Sequence, residues 1–141
     1  PYQQQALATA TAETERTIRM LQDLLDLARA DSGHLHFRLN PVMLNTLITE
    51  VAAMSQKVSN RLIQVLATDE DVVTCADQDR LQQVLINLVD NAIKYSASEQ
   101  PVDLILEKTS EWALIHVRDR GIGIPLPHQQ RIFERFYRVD E

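Results

Sequence analysis

The chain has 141 residues, 45% hydrophobic and 24% charged, the composition of one ordinary folded domain or a small one with an arm, not of a disordered chain. Its net charge of −6 argues against a general nucleic-acid binder, though not against a nucleotide site built from a few local donors. A single cysteine, Cys75, excludes an intrachain disulfide and a cysteine zinc cluster; in the apolar run VVTCA it reads as a buried structural thiol.

In chain order, residues Gln3 to Ala30 predict one long helix. Leu7, Thr11, Thr14, Ile18, Leu21, Leu25 and Ala28 follow alternating four- and three-residue steps, and Met20, Leu24 and Leu27 lay a second stripe beside them. That apolar face is wider than a two-stranded zipper needs and suits a bundle, so the helix is expected to pack on another chain or a partner helix. An ordinary core helix of the same domain is the alternative. Gly33 supplies the stop. His34 to Leu39 alternates like a strand ended by Asn40-Pro41; its two histidines lack a third ligand nearby and read as exposed strand residues. Met43 to Ser59 predicts a helix with Leu44, Leu47, Ile48, Val51 and Met54 on one face. Arg61 to Ala67 and Val72 to Ala76 predict two strands joined by the acidic turn Asp69, Glu70, Asp71.

Asp77 caps the next helix, Gln78 to about Ser96. Leu81, Leu85, Leu88, Val89 and Ala92 share one face; Asn87, Asn91 and Lys94 share the opposite one, with Tyr95 beside them. Asn is a mediocre helix former, so two of them one turn apart suggest a chemical role. Amide oxygens ligate hard cations, and a lysine reaches phosphate oxygens. A solvated face with incidental Asn fits the same pattern, and this helix alone does not choose. Val102 to Lys108 and Trp112 to Asp119 then predict two strands around a short turn at Thr109, Ser110 and Glu111. Two of the three glycines of the chain follow, in Asp119-Arg120-Gly121-Ile122-Gly123-Ile124-Pro125. An Asp closing a strand before a loop of this kind is an acceptor suited to an amino group such as that of adenine, and glycine permits positive backbone angles and close approach of a ligand.

Three stretches carry a resemblance. NLVDNAIKYS resembles the asparagine box of the sensor histidine kinases, DRGIGIP their first glycine box and IFERFYRVD, Ile132 to Asp140, their phenylalanine box, in family order and ordinary spacing. LLDLARADSG resembles the end of the second helix of their dimerisation and phosphotransfer domain, so the resemblance covers essentially the whole chain.

The resemblance implies an α+β fold: a Bergerat-type two-layer sandwich, a mixed sheet packed on helices, preceded by a long bundle-type helix. Residues 1–33 would be the helix of the dimerisation region and 34–141 the catalytic and ATP-binding domain. It implies ATP and Mg²⁺ as ligands. Asn91 would ligate the metal; Asn87 would sit near the phosphates and the reacting end as the catalytic residue. Lys94 would meet phosphate oxygens, Tyr95 would flank the nucleotide, Asp119 would accept from the adenine amino group, and Gly121 and Gly123 would let the loop follow the base and hinge a lid. Phe133, Phe136, Tyr137 and Arg138 would form the base of that lid, with local core packing the alternative for the two phenylalanines. The implied activity is transfer of the ATP γ-phosphate to a histidine and on to a response-regulator aspartate, with a homodimer through the helical region.

Two departures accompany it, beside the minor variation that Arg120 stands where the family often has a small or polar residue. None of His34, His36, His116 and His128 stands in an acceptor motif like HELRTP, so the phosphorylated histidine is expected outside this chain. No second glycine-rich box of the GxGLGL kind is present, so the domain is expected to be incomplete at its C-terminus, inactive by itself and weak in ATP binding. A cytoplasmic fragment without membrane contact is expected, its parent anchored or not. The rival readings are a degenerate ATP-binding scaffold and another ATPase of the same fold; the second ordinarily needs a Glu where Asn87 stands, since Asn is a poor general base.

Overall fold

The computed structural model describes residues 1–135 and 137–139. Its contacts divide the chain into two units, Pro1–Phe37 and Arg38–Glu141. The first is helix α1, Tyr2–Asp31, stopped where Gly33 takes φ +72°. Gly33 donates to the Ala30 carbonyl and His34 to that of Arg29, which satisfies carbonyls the helix end would leave open. No residue of α1 is buried, so the predicted seam of Leu7, Ile18, Leu21 and Leu25 stands in solvent, with Met20 and Leu24 beside it.

The second unit runs β1 (Asn40–Met43), α2 (Leu44–Ser59), β2 (Ile63–Ala67), β3 (Val73–Ala76), α3 (Gln78–Tyr95), β4 (Val102–Lys108), β5 (Ala113–Arg118) and the short α4 (Leu126–Gln129). β4 lies at the centre of a mixed sheet, parallel to β2 and antiparallel to β5. β1 and β3 form a separate antiparallel pair. Val102, Leu104 and Leu106 alternate onto one face of β4 and meet Leu47, Ile48, Val51 and Ala52 of α2 and Leu85, Val89 and Ala92 of α3, giving one helical layer on one sheet layer. Each such Val, Leu or Ile side chain, removed from water, contributes roughly 1.5–3 kcal/mol.

Four expectations need correction. His34 to Leu39 is not a strand; the pairing begins where β3 offers a partner, at Asn40 opposite Ala76, and includes Pro41. In a two-stranded sheet each strand has a free edge, which tolerates the missing proline N–H. On α2 the face toward the core carries Ala52 and Ser55, and Met54 is turned outward. Leu88 of α3 is 43% exposed, because the stripe that reaches the core steps from Leu85 to Val89 and Ala92. Cys75 is exposed, since the residues of β3 alternate and its place in that alternation faces solvent.

Candidate functional site

α3 is held at both ends. Its first-turn amides need acceptors, and Asp77 receives the Arg80 N–H at 3.2 Å and, from outside the helix, the Arg38 N–H at 2.8 Å. These two bonds, the Arg38 one first, hold the Asp77 carboxyl below its ordinary pKa. At the other end the Arg61 guanidinium donates to the carbonyls of Ala97 at 2.6 Å and Gln100 at 2.9 Å, and to the Ser96 hydroxyl at 3.0 Å. A cation among the free carbonyls after a helix complements the negative end of its dipole. Arg61 was not singled out by the sequence pattern, because its acceptors lie more than 30 residues away.

With the ends pinned and Leu85, Val89 and Ala92 buried, the opposite face is fixed outward. Asn87, Asn91, Lys94 and Tyr95 are all exposed on it. Neither asparagine amide is engaged by another described residue, and Lys94 Nζ lies 4.9 Å from the Tyr95 ring centroid rather than on a carboxylate. Among the described residues no group of three His, Cys, Asp or Glu side chains could hold a metal ion. The donors available are therefore neutral amide oxygens, which suit a hard divalent cation that also keeps water and phosphate oxygens. Val84 and Leu88 lie exposed beside them.

Asp119 follows β5 directly. Its Oδ1 accepts the Gly121 N–H at 2.8 Å, which folds the chain into a tight turn. Gly121 forms an isolated antiparallel bridge with Ser96, and Ile122 N–H donates to the Tyr95 carbonyl at 3.3 Å. A Cβ on Gly121 would run into that carbonyl oxygen. The glycine is required by the close approach of the end of α3 and not by a positive φ; of the two loop glycines only Gly123, at φ +73°, needs that freedom. The loop bearing Asp119 is thereby locked to the last turn of α3, one turn beyond Asn91. Arg120, which the resemblance left without a role, donates to the Pro101 carbonyl and to the carboxylate of Asp103; Arg118 donates to that carboxylate as well. Burial pushes the Asp103 carboxyl up, but the bonds from Arg120 and Arg118 outweigh it and hold the group below its ordinary value.

Beyond Pro125, His128 Nδ1 is hydrogen-bonded to the Tyr137 hydroxyl and the Arg131 guanidinium lies 4.2 Å from the Tyr137 ring centroid. Phe133 and Arg138 are exposed, so Phe133 packs in no local core; Phe136 and Asp140 lie outside the described residues. A depression of about 500 Å³, lined by Ala53, Gln56, Lys57 and Asn60 at the end of α2, contains none of the site residues. Among the described residues no helix is long and apolar enough to cross a membrane.

Comparison with known proteins adds four findings. Residues 76–141 match the family described as histidine kinase-, DNA gyrase B- and HSP90-like ATPase. The chain is 37% identical over 134 residues to the sensor histidine kinase WalK of Bacillus subtilis (strain 168), covering 92% of this chain and 22% of that protein, so it spans about a fifth of that relative. Among solved structures it is similar to full-length ShkA in complex with AMPPNP, with TM-score 0.73 and 25% identity over 84% of this chain and 26% of that one. It is also similar to the histidine kinase ThkA in complex with the response regulator TrrA, with TM-score 0.72 and 26% identity over 91% of this chain and 38% of that one.

Proposed function

Since this chain belongs to the sensor histidine kinases as one of their ATP-binding domains, we propose that the exposed face of α3 and the Asp119 loop together bind Mg²⁺-ATP. One observation carries the reading: Gly121 seats the Asp119 turn on the Tyr95 carbonyl, so the carboxylate and the asparagine face belong to one locality. Asp119 accepts the adenine amino group through the oxygen that Gly121 does not occupy. Tyr95 flanks the nucleotide, and Gly121 and Gly123 let the loop follow the base. Lys94 meets phosphate oxygens, Asn91 offers its amide oxygen to the metal, and Asn87 orients the reacting end. Mg²⁺ supplies neutralisation of phosphate charge. Positioning and electrostatics are what phosphoryl transfer asks of a protein, and these side chains offer both.

For the longer protein we infer transfer of the γ-phosphate to a histidine outside this chain, then to an aspartate of a response-regulator receiver domain. ShkA, solved with AMPPNP, and ThkA, solved with a response regulator, support that reading. Residues 1–33 act as a dimerisation helix, joining two copies through the exposed seam of α1, and 34–141 as the catalytic domain.

The test is nucleotide affinity with and without Mg²⁺. Asp119→Asn weakens ATP about tenfold, the size of one hydrogen bond to a charged group. Affinity unchanged by that substitution would remove Asp119 from the site. The isolated chain takes up no acid-labile phosphate from radiolabelled ATP, because none of its four histidines lies in an acceptor motif; clear labelling would overturn that statement.

A further inference from the structure

We propose that Asp103 is a positioning residue for Asp119, acting through the two arginines that flank it in sequence. The inference deepens the nucleotide reading above and rests on it for the role of Asp119. β4 turns Val102, Leu104 and Leu106 toward the helices, so Asp103 faces the other side of the sheet, where the register sets Arg118 opposite it. There the carboxylate is only 1% exposed. One oxygen, Oδ2, accepts from Arg118 Nε at 3.0 Å, Arg118 Nη2 at 2.8 Å and Arg120 Nη2 at 2.9 Å. Arg120 Nη1 also donates to the Pro101 carbonyl at 2.9 Å, so its planar fork is held at two points.

Arg118, the last residue of β5, and Arg120, just beyond it, both reach the same Asp103 oxygen, while Asp119 between them turns back to Gly121. A single buried anchor that grips both neighbours therefore fixes the direction in which the residue between them leaves the chain. From Arg120 the constraint passes to Gly121, whose N–H occupies Asp119 Oδ1 and which leaves no room for a Cβ against the Tyr95 carbonyl. Asp119 Oδ2 is engaged by no described residue and is the oxygen left for a ligand. Buried ion clusters are weak evidence for stability, and their better-attested use is to select one arrangement among several.

The experiment uses the isotopically labelled chain and its Arg120→Ala and Asp103→Asn variants. The first readout, without nucleotide, is the Gly121 amide proton shift, which reports its bond to Asp119. The second is the ratio of affinities for ATP and ITP in Mg²⁺, because inosine presents a carbonyl where adenine presents the amino group. The unmodified chain prefers ATP about tenfold. Both variants move the Gly121 amide upfield and bring that preference to near unity, while the amides of Leu85 and Val89 stay in place. If Asp103→Asn fails to fold, Arg120→Ala carries the test, since it leaves Arg118 on the buried carboxylate. An unchanged Gly121 shift in Arg120→Ala overturns the proposal. So does equal weakening of both nucleotides with shifts spread through the core, the signature of a purely structural cluster. If the unmodified chain binds ATP and ITP alike, the base-recognition reading fails instead, and the Gly121 amide alone decides whether Asp103 holds the loop.

Discussion

Helices α1 and α3 make opposite use of an amphipathic sequence. α1 is 30 residues long and buries none of them; α3 is 18 residues long and buries Leu85, Val89 and Ala92 completely enough to fix which way every other residue faces. The ends differ as well. Asp77 and Arg61 hold α3 from outside the helix, whereas the N-terminus of α1 has no side-chain cap. An isolated helix in water gains little from its own hydrogen bonds and depends on packing of its apolar face. The seam of α1 is thus an apolar surface left exposed, while the polar face of α3 is held in place by packing and so suits a site.

The sharpest way to break that contrast is truncation of one leucine in each helix. Leu85→Ala removes a side chain from a packed core and is expected to cost about 3 kcal/mol. Leu21→Ala is expected to change unfolding by less than about 0.5 kcal/mol, as at other surface positions. Urea denaturation of both variants measures this; comparable losses would mean that the α1 seam is already packed within the chain. On the proposed dimerisation through α1, Leu21→Ala is instead expected to weaken association between copies, read by sedimentation. Next in size is Gly121→Ala. Its methyl group meets the backbone of Tyr95, which cannot swing aside as a side chain could, so either the loop or the end of α3 must shift. The expected cost is about 2 kcal/mol, that of overpacking a tight contact. Gly123→Ala meets no atom within 4 Å yet sits at φ +73°, so it suffers from backbone conformation alone and leaves α3 in place. Loss of nucleotide affinity in Gly121→Ala and its retention in Gly123→Ala would tie binding to the junction rather than to loop flexibility.

Periodicity made α1, α2 and α3 legible in the sequence to within a residue or two, and β4 with the same ends as in the structure, because helices and half-buried strands write their spacing into the chain. The places where the reading missed share a cause. His34 to Leu39 alternates but has no neighbouring strand to pair with, and alternation without a partner is not a strand. Leu88 and Cys75 are apolar or thiol-bearing, but one residue off the face that packs. Asp103 and Arg61 are the instructive omissions. An Asp second in VDLILEK interrupts an apolar run and signals a buried partner, but a hairpin through Thr109, Ser110 and Glu111 alone would have set Val117 opposite it; the turn also takes in Trp112, and that one-residue difference brings Arg118 there. Arg61 carries no such signal, since its acceptors are backbone carbonyls that only the fold gathers. The exposed asparagine face and the turn after β5 were legible as positions, but their junction, a glycine against a carbonyl, was not.

The smallest expected effect concerns the capped end of α3. The Asp77 carboxyl lies below its unfolded value of 3.8, first through the Arg38 N–H and then through that of Arg80. A group whose pKa is depressed by folding stabilises the fold above its unfolded pKa, and loses that contribution as pH falls through the lower folded value. Asp77→Ala should therefore lower the urea midpoint near neutral pH, and the gap between variant and parent should close as the solution is acidified below about pH 4. Asp77→Asn retains an acceptor for a first-turn amide without the charge, so its midpoint lies between the two and varies less with pH. Because α1 has no side-chain cap, its helicity should show no step from a capping carboxylate in that range. A step of equal size in a peptide spanning α1 alone would assign the acid sensitivity to surface carboxylates at large, and the distinction between an anchored helix and an unanchored one would lose its electrostatic support.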